Sequence, residues 1–302
     1  MRVLVSGLIN LETTLRVNGF PIDYNPVNYP FLGVQSRVSG VGYNLAKALL
    51  TLGNEVRFLS LIGQDSAAFL VQEALRGDGI PAHGVLQQLR ETAQSVILYE
   101  PGGRRQIYTD LKDIQEQTYP PERVVEALQG CDWAALCNIN FSRPMLEVAA
   151  RAGVPIATDV HAIGSLDDAY NQDFLRAAQV LFMSHEKLSL SPEDWLRAVG
   201  QRFGTPVAVV GLGERGALLG LRAASEIWHV PAVFTRPVVN TIGAGDALFS
   251  AFLHGYAQSG DALQALKQAV VFASYKIGVA SAAEGFLNAE ELRQWVNRIQ
   301  AQ

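Results

Sequence analysis

A chain of 302 residues with 49% hydrophobic and 18% charged residues has the composition of a globular protein with room for a sizeable core. Its formal net charge of −5 leaves no basic excess to neutralise a phosphate backbone, which argues against a nucleic-acid binder; any anionic ligand must be held locally. Cys131 and Cys137 give no disulfide framework and suit a reducing cytosol, the opening MRVLVSGLINLETT is too short for a signal peptide, and no run approaches the roughly 20 apolar residues of a membrane span, so a cytoplasmic protein is expected.

In chain order, an apolar strand is predicted over 3–8, followed by a segment, 10–37, that lacks helical periodicity and carries Pro21, Pro26 and Pro30. Leu45, Ala48, Leu49 and Leu52 repeat at helical spacing until Gly53 supplies a stop, and a second strand covers 56–62. SVILYEPGGRRQIYTD, residues 95–110, reads as an antiparallel hairpin turning at Pro101-Gly102-Gly103. Further apolar strands are predicted over 133–139, 155–160, 180–184 and 206–210, and Phe249, Phe252, Leu253 and Tyr256 mark a late helix. Runs that are apolar throughout belong to strands covered on both faces, so the expected fold is a doubly wound α/β domain over 1–302 with a mainly parallel sheet. Residues 11–37 and 92–110 form either a small β lid over one edge or an ordinary surface hairpin.

Between a strand-like and a helical run stands VVNTIGAGDALFSAF, with Gly243, Ala244, Gly245 and Asp246 at its centre. Small residues let backbone amides approach a ligand, and a helix starting near Ala244 would aim its unpaired amides and positive dipole end at an anion. Asp246 in that first turn is expected to be ionised and able to accept a proton. An amide cradle beside such a carboxylate is a minimal apparatus for phosphoryl transfer to an alcohol. Gly211-Leu212-Gly213-Glu214-Arg215-Gly216 spells a second glycine motif, but ALLGL and IWHVPAV follow as strands rather than the helix that a dinucleotide fingerprint requires.

NTIGAGDALFSAF resembles the C-terminal signature of the ribokinase-like, phosphofructokinase-B type carbohydrate kinases, and SGVGYNLAKALLTLGNEVRFLSLIG resembles their N-terminal signature, about 200 residues earlier. The resemblance implies a kinase that moves the γ-phosphate of ATP, with Mg²⁺, to a hydroxymethyl group of a sugar or nucleoside. By that resemblance Asp246 is the catalytic base and Gly243, Ala244 and Gly245 are the anion hole. Asn10, Glu12, Gly40, Gly42 and Asn44 border the substrate, and Gly211, Gly213 and Gly216 lie on the nucleotide side. Asn140, at a strand's carboxyl end, is a further substrate candidate.

Three positions depart from the family pattern. Asn240 replaces an aspartate that the family uses in a monovalent-cation site, which leaves K⁺ activation open. Ser184-His185-Glu186-Lys187 replaces N-x-x-E, so Ser184 and Lys187 are nucleotide-side candidates and Glu186 a candidate for Mg²⁺, through water. Glu12 replaces a sugar-gripping aspartate, whose shorter arm would place a sugar differently. His161 and His185 are read as polar loop residues, since no spacing supports a protein-only metal cage. Tyr24, Tyr29, Phe31 and Tyr43 could stack on a nucleoside base or pack the lid. The expected function is sugar kinase, with nucleoside kinase and non-catalytic binding homologue as alternatives; a homodimer paired through the lid edge is the expected assembly.

Overall fold

A computed structural model describes residues 1–222 and 226–301. Its first half contains β1 (Arg2–Ser6), β2 (Asn10–Arg16), β3 (Val34–Ser39), α1 (Val41–Thr51), β4 (Glu55–Gly63), α2 (Ser66–Gly77), β5 (Val85–Leu89), β6 (Gln94–Tyr99), β7 (Arg105–Asp110), α3 (Pro121–Leu128), β8 (Trp133–Leu136) and α4 (Arg143–Arg151). There follow β9 (Ile156–Ala162), α5 (Gln172–Ala177), β10 (Val180–Ser184), α6 (Pro192–Phe203), β11 (Val207–Gly211), β12 (Ala217–Leu221), β13 (Glu226–Val230), α7 (Ala244–Ser259), α8 (Ala262–Lys276) and α9 (Ala289–Gln300).

The main sheet has nine strands in the order β13-β12-β11-β10-β9-β8-β1-β4-β5. From β11 to β5 the pairings are parallel, and β12 and β13 close one edge antiparallel. Neighbouring residues of β1 serve opposite faces: Val3 and Val5 pack with Phe249, Phe252 and Phe272, whereas Leu4 packs with Leu136, Met145 and Trp195. Two buried layers therefore flank one sheet, and this is why the predicted strands read as uninterrupted apolar runs. The strand character expected after the second glycine motif is present as β12 and β13. β5 had no sequence prediction, because Gln87 and Gln88 at this sheet edge interrupt its apolar pattern.

A second sheet, ordered β3-β2-β6-β7, contains the 95–110 hairpin and lies over the main domain. It is mixed: β2 runs parallel to β6, with Leu11 opposite Gln94, while its other pairings are antiparallel. Arg37 reaches Glu284 at 3.6 Å, and Arg105 Nη1 donates to Thr241 Oγ1 at 2.6 Å, so this sheet touches the segments around the GAGD turn. It is a lid. Among the described residues no helix is long and apolar enough to cross a membrane.

The start of α1 is driven onto the end of β1 by two glycines. A Cβ on Gly42 would lie 2.4 Å from the Gly7 carbonyl carbon, and one on Gly7 would lie 2.4 Å from Cys137 Sγ. Backbone contact at this point sends Asn44, one turn into α1, toward the carboxyl ends of the strands, where ligands of open α/β sheets bind.

Candidate active site

Helix α7 begins at Ala244, as its sequence implies, with Gly243 at the cap position in the left-handed conformation (φ +74°). The Ala244 amide bonds back to the Thr241 carbonyl at 3.3 Å. Gly243 has no side chain to receive the amides that follow, so the first turn keeps donors for a ligand. A Cβ added to Gly245 would find only Asp159 Oδ2, 4.0 Å away. No side chain at Gly243 or Gly245 therefore closes the mouth of the helix.

Asp246, the third residue of α7, is only 8% exposed. Its Oδ2 accepts from Asn44 Nδ2 at 2.6 Å, a bond spanning 202 residues. Asn44 Oδ1 in turn accepts from Ser39 Oγ at 3.2 Å, which fixes the amide's orientation. The charge behaviour differs from the sequence expectation. Burial is the largest influence and pushes the carboxyl pKa up; the Asn44 hydrogen bond and the nearby His161 and Lys276 charges oppose it without prevailing. The helix dipole does not offset removal from water. An elevated pKa makes the carboxylate the stronger base for a hydroxyl proton.

Strand β2 turns polar side chains inward: Asn10, Glu12 and Thr14 are buried on one face. Asn10 Nδ2 donates to Ser95 Oγ at 2.8 Å on the neighbouring β6, while its buried Oδ1 lacks a partner among the described residues. Burial also raises the Glu12 pKa, with the neighbouring Ser39 hydroxyl and the Lys276 charge opposing it. Two buried groups able to meet hydroxyls therefore converge beneath the lid. Gly40 and Gly42 owe their glycine identity to the chain itself: at φ +108° a Gly40 Cβ would strike the Leu8 carbonyl at 2.5 Å, and Gly42 abuts Gly7. They seat α1, with neighbouring backbone filling the direction a Cβ would take at each.

On the other flank, His185 Nδ1 lies 2.9 Å from the Gly211 carbonyl, which joins the Ser184–Lys187 turn to the second glycine motif. A Cβ on Gly213, at φ +63°, would approach the His185 ring at 3.7 Å. Gly216 has an internal role instead, since a Cβ there would sit 2.1 Å from the Val230 carbonyl. Ser184 Oγ caps its own turn by accepting from the Glu186 amide at 3.3 Å, and Glu186 and Lys187 are exposed. Glu186 Oε1 lies 4.0 Å from Arg105 Nη2, so one lid guanidinium spans Glu186 and Thr241.

Two candidates are used elsewhere. Asn140 Nδ2 donates to the Gln115 carbonyl at 2.9 Å and its Oδ1 accepts from Arg143 at 3.3 Å, so its side chain ties a 3-10 turn to its neighbours. Tyr43 is 2% exposed in the core with its hydroxyl on Asp78, and cannot stack on a base. Tyr24, Tyr29 and Phe31 are exposed to solvent.

Sequence reasoning missed four contributors. Asp159, 8% exposed at the carboxyl end of β9, approaches Gly245, and its position at a strand end was the available signal. His161, taken for a loop residue, has φ +55°, unusual for a residue with a Cβ; its amide donates to Asp159 Oδ1 at 2.8 Å and its charge acts on Asp246. Arg105 comes from the lid. Lys276 follows Ala265, Ala269 and Phe272 along the buried face of α8, a charge at a core position in an apolar helix.

Among the described residues no group of three or more His, Cys, Asp or Glu forms a metal cage.

The profile of the pfkB family carbohydrate kinases matches residues 2–290. An ATP-dependent ribose-1-phosphate kinase from Halopiger xanaduensis is 27% identical over 274 residues, covering 89% of each chain. The acarbose 7(IV)-phosphotransferase of an Actinoplanes species is 24% identical over 290 residues, 95% of each chain. The solved structure of a microbiome-derived acarbose kinase superposes with a TM-score of 0.88 at 25% identity, covering 98% of this chain and 99% of that one. A match through both glycine signatures and across nearly the whole length means that the chain belongs to the pfkB family of carbohydrate kinases, phosphotransferases with an alcohol group as acceptor.

Proposed function

We propose that the protein transfers the γ-phosphate of ATP to a hydroxymethyl group of a sugar, with Asp246 removing the hydroxyl proton. The observation that carries this reading is the buried Asp246 carboxylate, held by Asn44 at the open first turn of α7. The acceptor hydroxyl lies between that carboxylate and the γ-phosphorus, and the Gly243, Ala244 and Gly245 turn receives the charge on the transferred group. Asn10 and Glu12 take sugar hydroxyls, supported by the unpartnered Asn10 oxygen, and Gly40 and Gly42 seat the helix that carries Asn44. Ser184, Lys187, Gly211 and Gly213 border the nucleotide, with Gly216 shaping their turn. Mg²⁺ would lie among the phosphates near Glu186 or Asp159, where it lowers the charge that the chain must neutralise. The lid excludes water, so ATP is not spent on hydrolysis.

Residues 1–302 act as one domain with this lid, in the cytoplasm, where ATP is available and the free thiols of Cys131 and Cys137 stay reduced. Exposed Val96 and Tyr108, cross-strand partners on the face opposite buried Ile97, give the lid an apolar outer surface that a second copy would cover; a monomeric mass in solution would remove the homodimer.

Two of the relatives named above are acarbose kinases and one acts on ribose 1-phosphate, so the acceptor tests centre on sugars. ADP release and calorimetry are run in parallel with D-ribose, 2-deoxyribose, fructose, ketodeoxygluconate, acarbose, adenosine, inosine and pseudouridine. ADP release with a sugar is the expected outcome. Turnover confined to nucleosides would move the acceptor class, and binding without ADP release would leave a non-catalytic homologue.

A further inference from the structure

A lysine at full burial is costly unless its charge is used, and Lys276 is 0% exposed in the last turn of α8. Its Nζ donates to the Ile242 carbonyl, one residue before the Gly243 cap of α7. The carbonyl ends of α8 favour a cation at this place. Asn240, at the start of the same loop, is committed within the chain: its Oδ1 accepts from the Ile242 amide at 3.0 Å and its Nδ2 donates to the Ala280 carbonyl at 2.6 Å. A neutral, engaged amide and a carbonyl already bonded to an ammonium do not fit a dissociable K⁺.

We propose that the Lys276 ammonium is a built-in cation for the GAGD turn, fixing the 240–246 loop and supplying positive potential behind the anion hole in place of a bound monovalent ion. The role is one of positioning and electrostatics, since Lys276 reaches the loop carbonyl rather than the reacting atoms. It rests on the reading of this turn as the γ-phosphate site. The charged groups acting on it are Asp246 from α7, Glu12 from β2 and Glu284 from the turn before α9, which favour its protonated form, and Arg105 from the lid, which opposes it. Burial outweighs them and brings the lysine pKa down to about 8. The folded state therefore binds fewer protons than the unfolded chain between about pH 8 and 10.5. Stability contributed by this group rises through that window while the useful charge disappears.

The test measures ATPγS affinity with Mg²⁺ by calorimetry, because this analogue's thiophosphate is already ionised at the pH values used. Wild-type affinity in KCl, NaCl and tetramethylammonium chloride is expected to agree within about twofold, and to fall about tenfold from pH 7 to 9.5 without loss of thermal stability. Lys276→Met is expected to bind about tenfold or more weakly at pH 7 and to lack the alkaline decline. In Lys276→Ala, n-propylammonium is expected to restore affinity where 1-propanol, of similar size and neutral, does not. K⁺ strengthening wild-type binding tenfold, an alkaline decline that tracks unfolding, or equal rescue by the alcohol would each overturn the proposal. The wild-type measurements decide it if neither variant folds. A nucleotide-bound crystal structure with the terminal phosphate away from the first turn of α7 would instead overturn the γ-phosphate site itself, so the two failures are separable.

Discussion

Asp246→Asn is expected to lower turnover by roughly 10²–10⁴-fold while ATP affinity changes little. The substitution keeps the side chain's shape, and the new amide can still present an oxygen to Asn44 Nδ2, which now holds the carboxylate at 2.6 Å. What it removes is the proton acceptor. Stability is not expected to fall, because the wild-type chain bears the cost of a buried charge there and the neutral amide does not. The pH dependence carries the same signature. Burial holds the Asp246 pKa above the ordinary carboxylate range, so the base form and the rate it supports are lost at a higher pH than for a solvated aspartate as the medium is acidified. Steady-state kinetics, nucleotide calorimetry and thermal melts on both proteins check these statements; wild-type turnover in the variant removes Asp246 from the chemistry.

Gly243→Ala is expected to be the second most damaging change. At φ +74° any residue with a Cβ is strained, by about 1–2 kcal/mol. The added carbon would also lie 2.7 Å from the Ala282 carbonyl oxygen and 3.1 Å from its Cα, and both are backbone-bound atoms rather than a yielding side-chain end. Either the turn through Ala282 retreats or α7 shifts at its first residue. Overpacking of this kind costs about 1–3 kcal/mol in stability. A displaced α7 start also misaims the phosphate-binding amides, and loss of one such donor costs about 10²–10³-fold in turnover. Thermal unfolding and kcat measured together check the pair, and a variant with unchanged stability and rate contradicts the role of this glycine.

The layered sheet was legible because each central strand has covered faces and so an unbroken apolar run, as in Val180–Ser184. The start of α7 was legible for a local reason: glycine at the cap and small residues after it leave few other conformations for a strand-to-helix turn. Glu55–Gly63 announced itself, whereas the edge strand Val85–Leu89 did not, because its exposed glutamines break the pattern. The lid's β2 inverts the usual logic by burying the polar residues Asn10, Glu12 and Thr14, so its alternation does not announce a buried face.

The charge environment was not legible. Asp246 sits near the positive end of a helix, which by itself predicts a depressed pKa, and only three-dimensional burial reverses the sign. Asn44 meets Asp246 across 202 residues, and Lys276 meets Ile242 across 34, contacts set by how α1, α7 and α8 pack rather than by any local pattern. Asp159 and His161 reach the site from β9 and Arg105 from β7.

The most direct measurement is a crystal structure of the protein with Mg²⁺ and a non-hydrolysable ATP analogue. The terminal phosphorus should lie over the first turn of α7, with its oxygens on the backbone amides there and the Asp246 carboxylate turned toward the side from which an acceptor hydroxyl would attack. A terminal phosphate bound away from that turn, or an Asp246 side chain directed into the core with the nucleotide in place, would contradict the account.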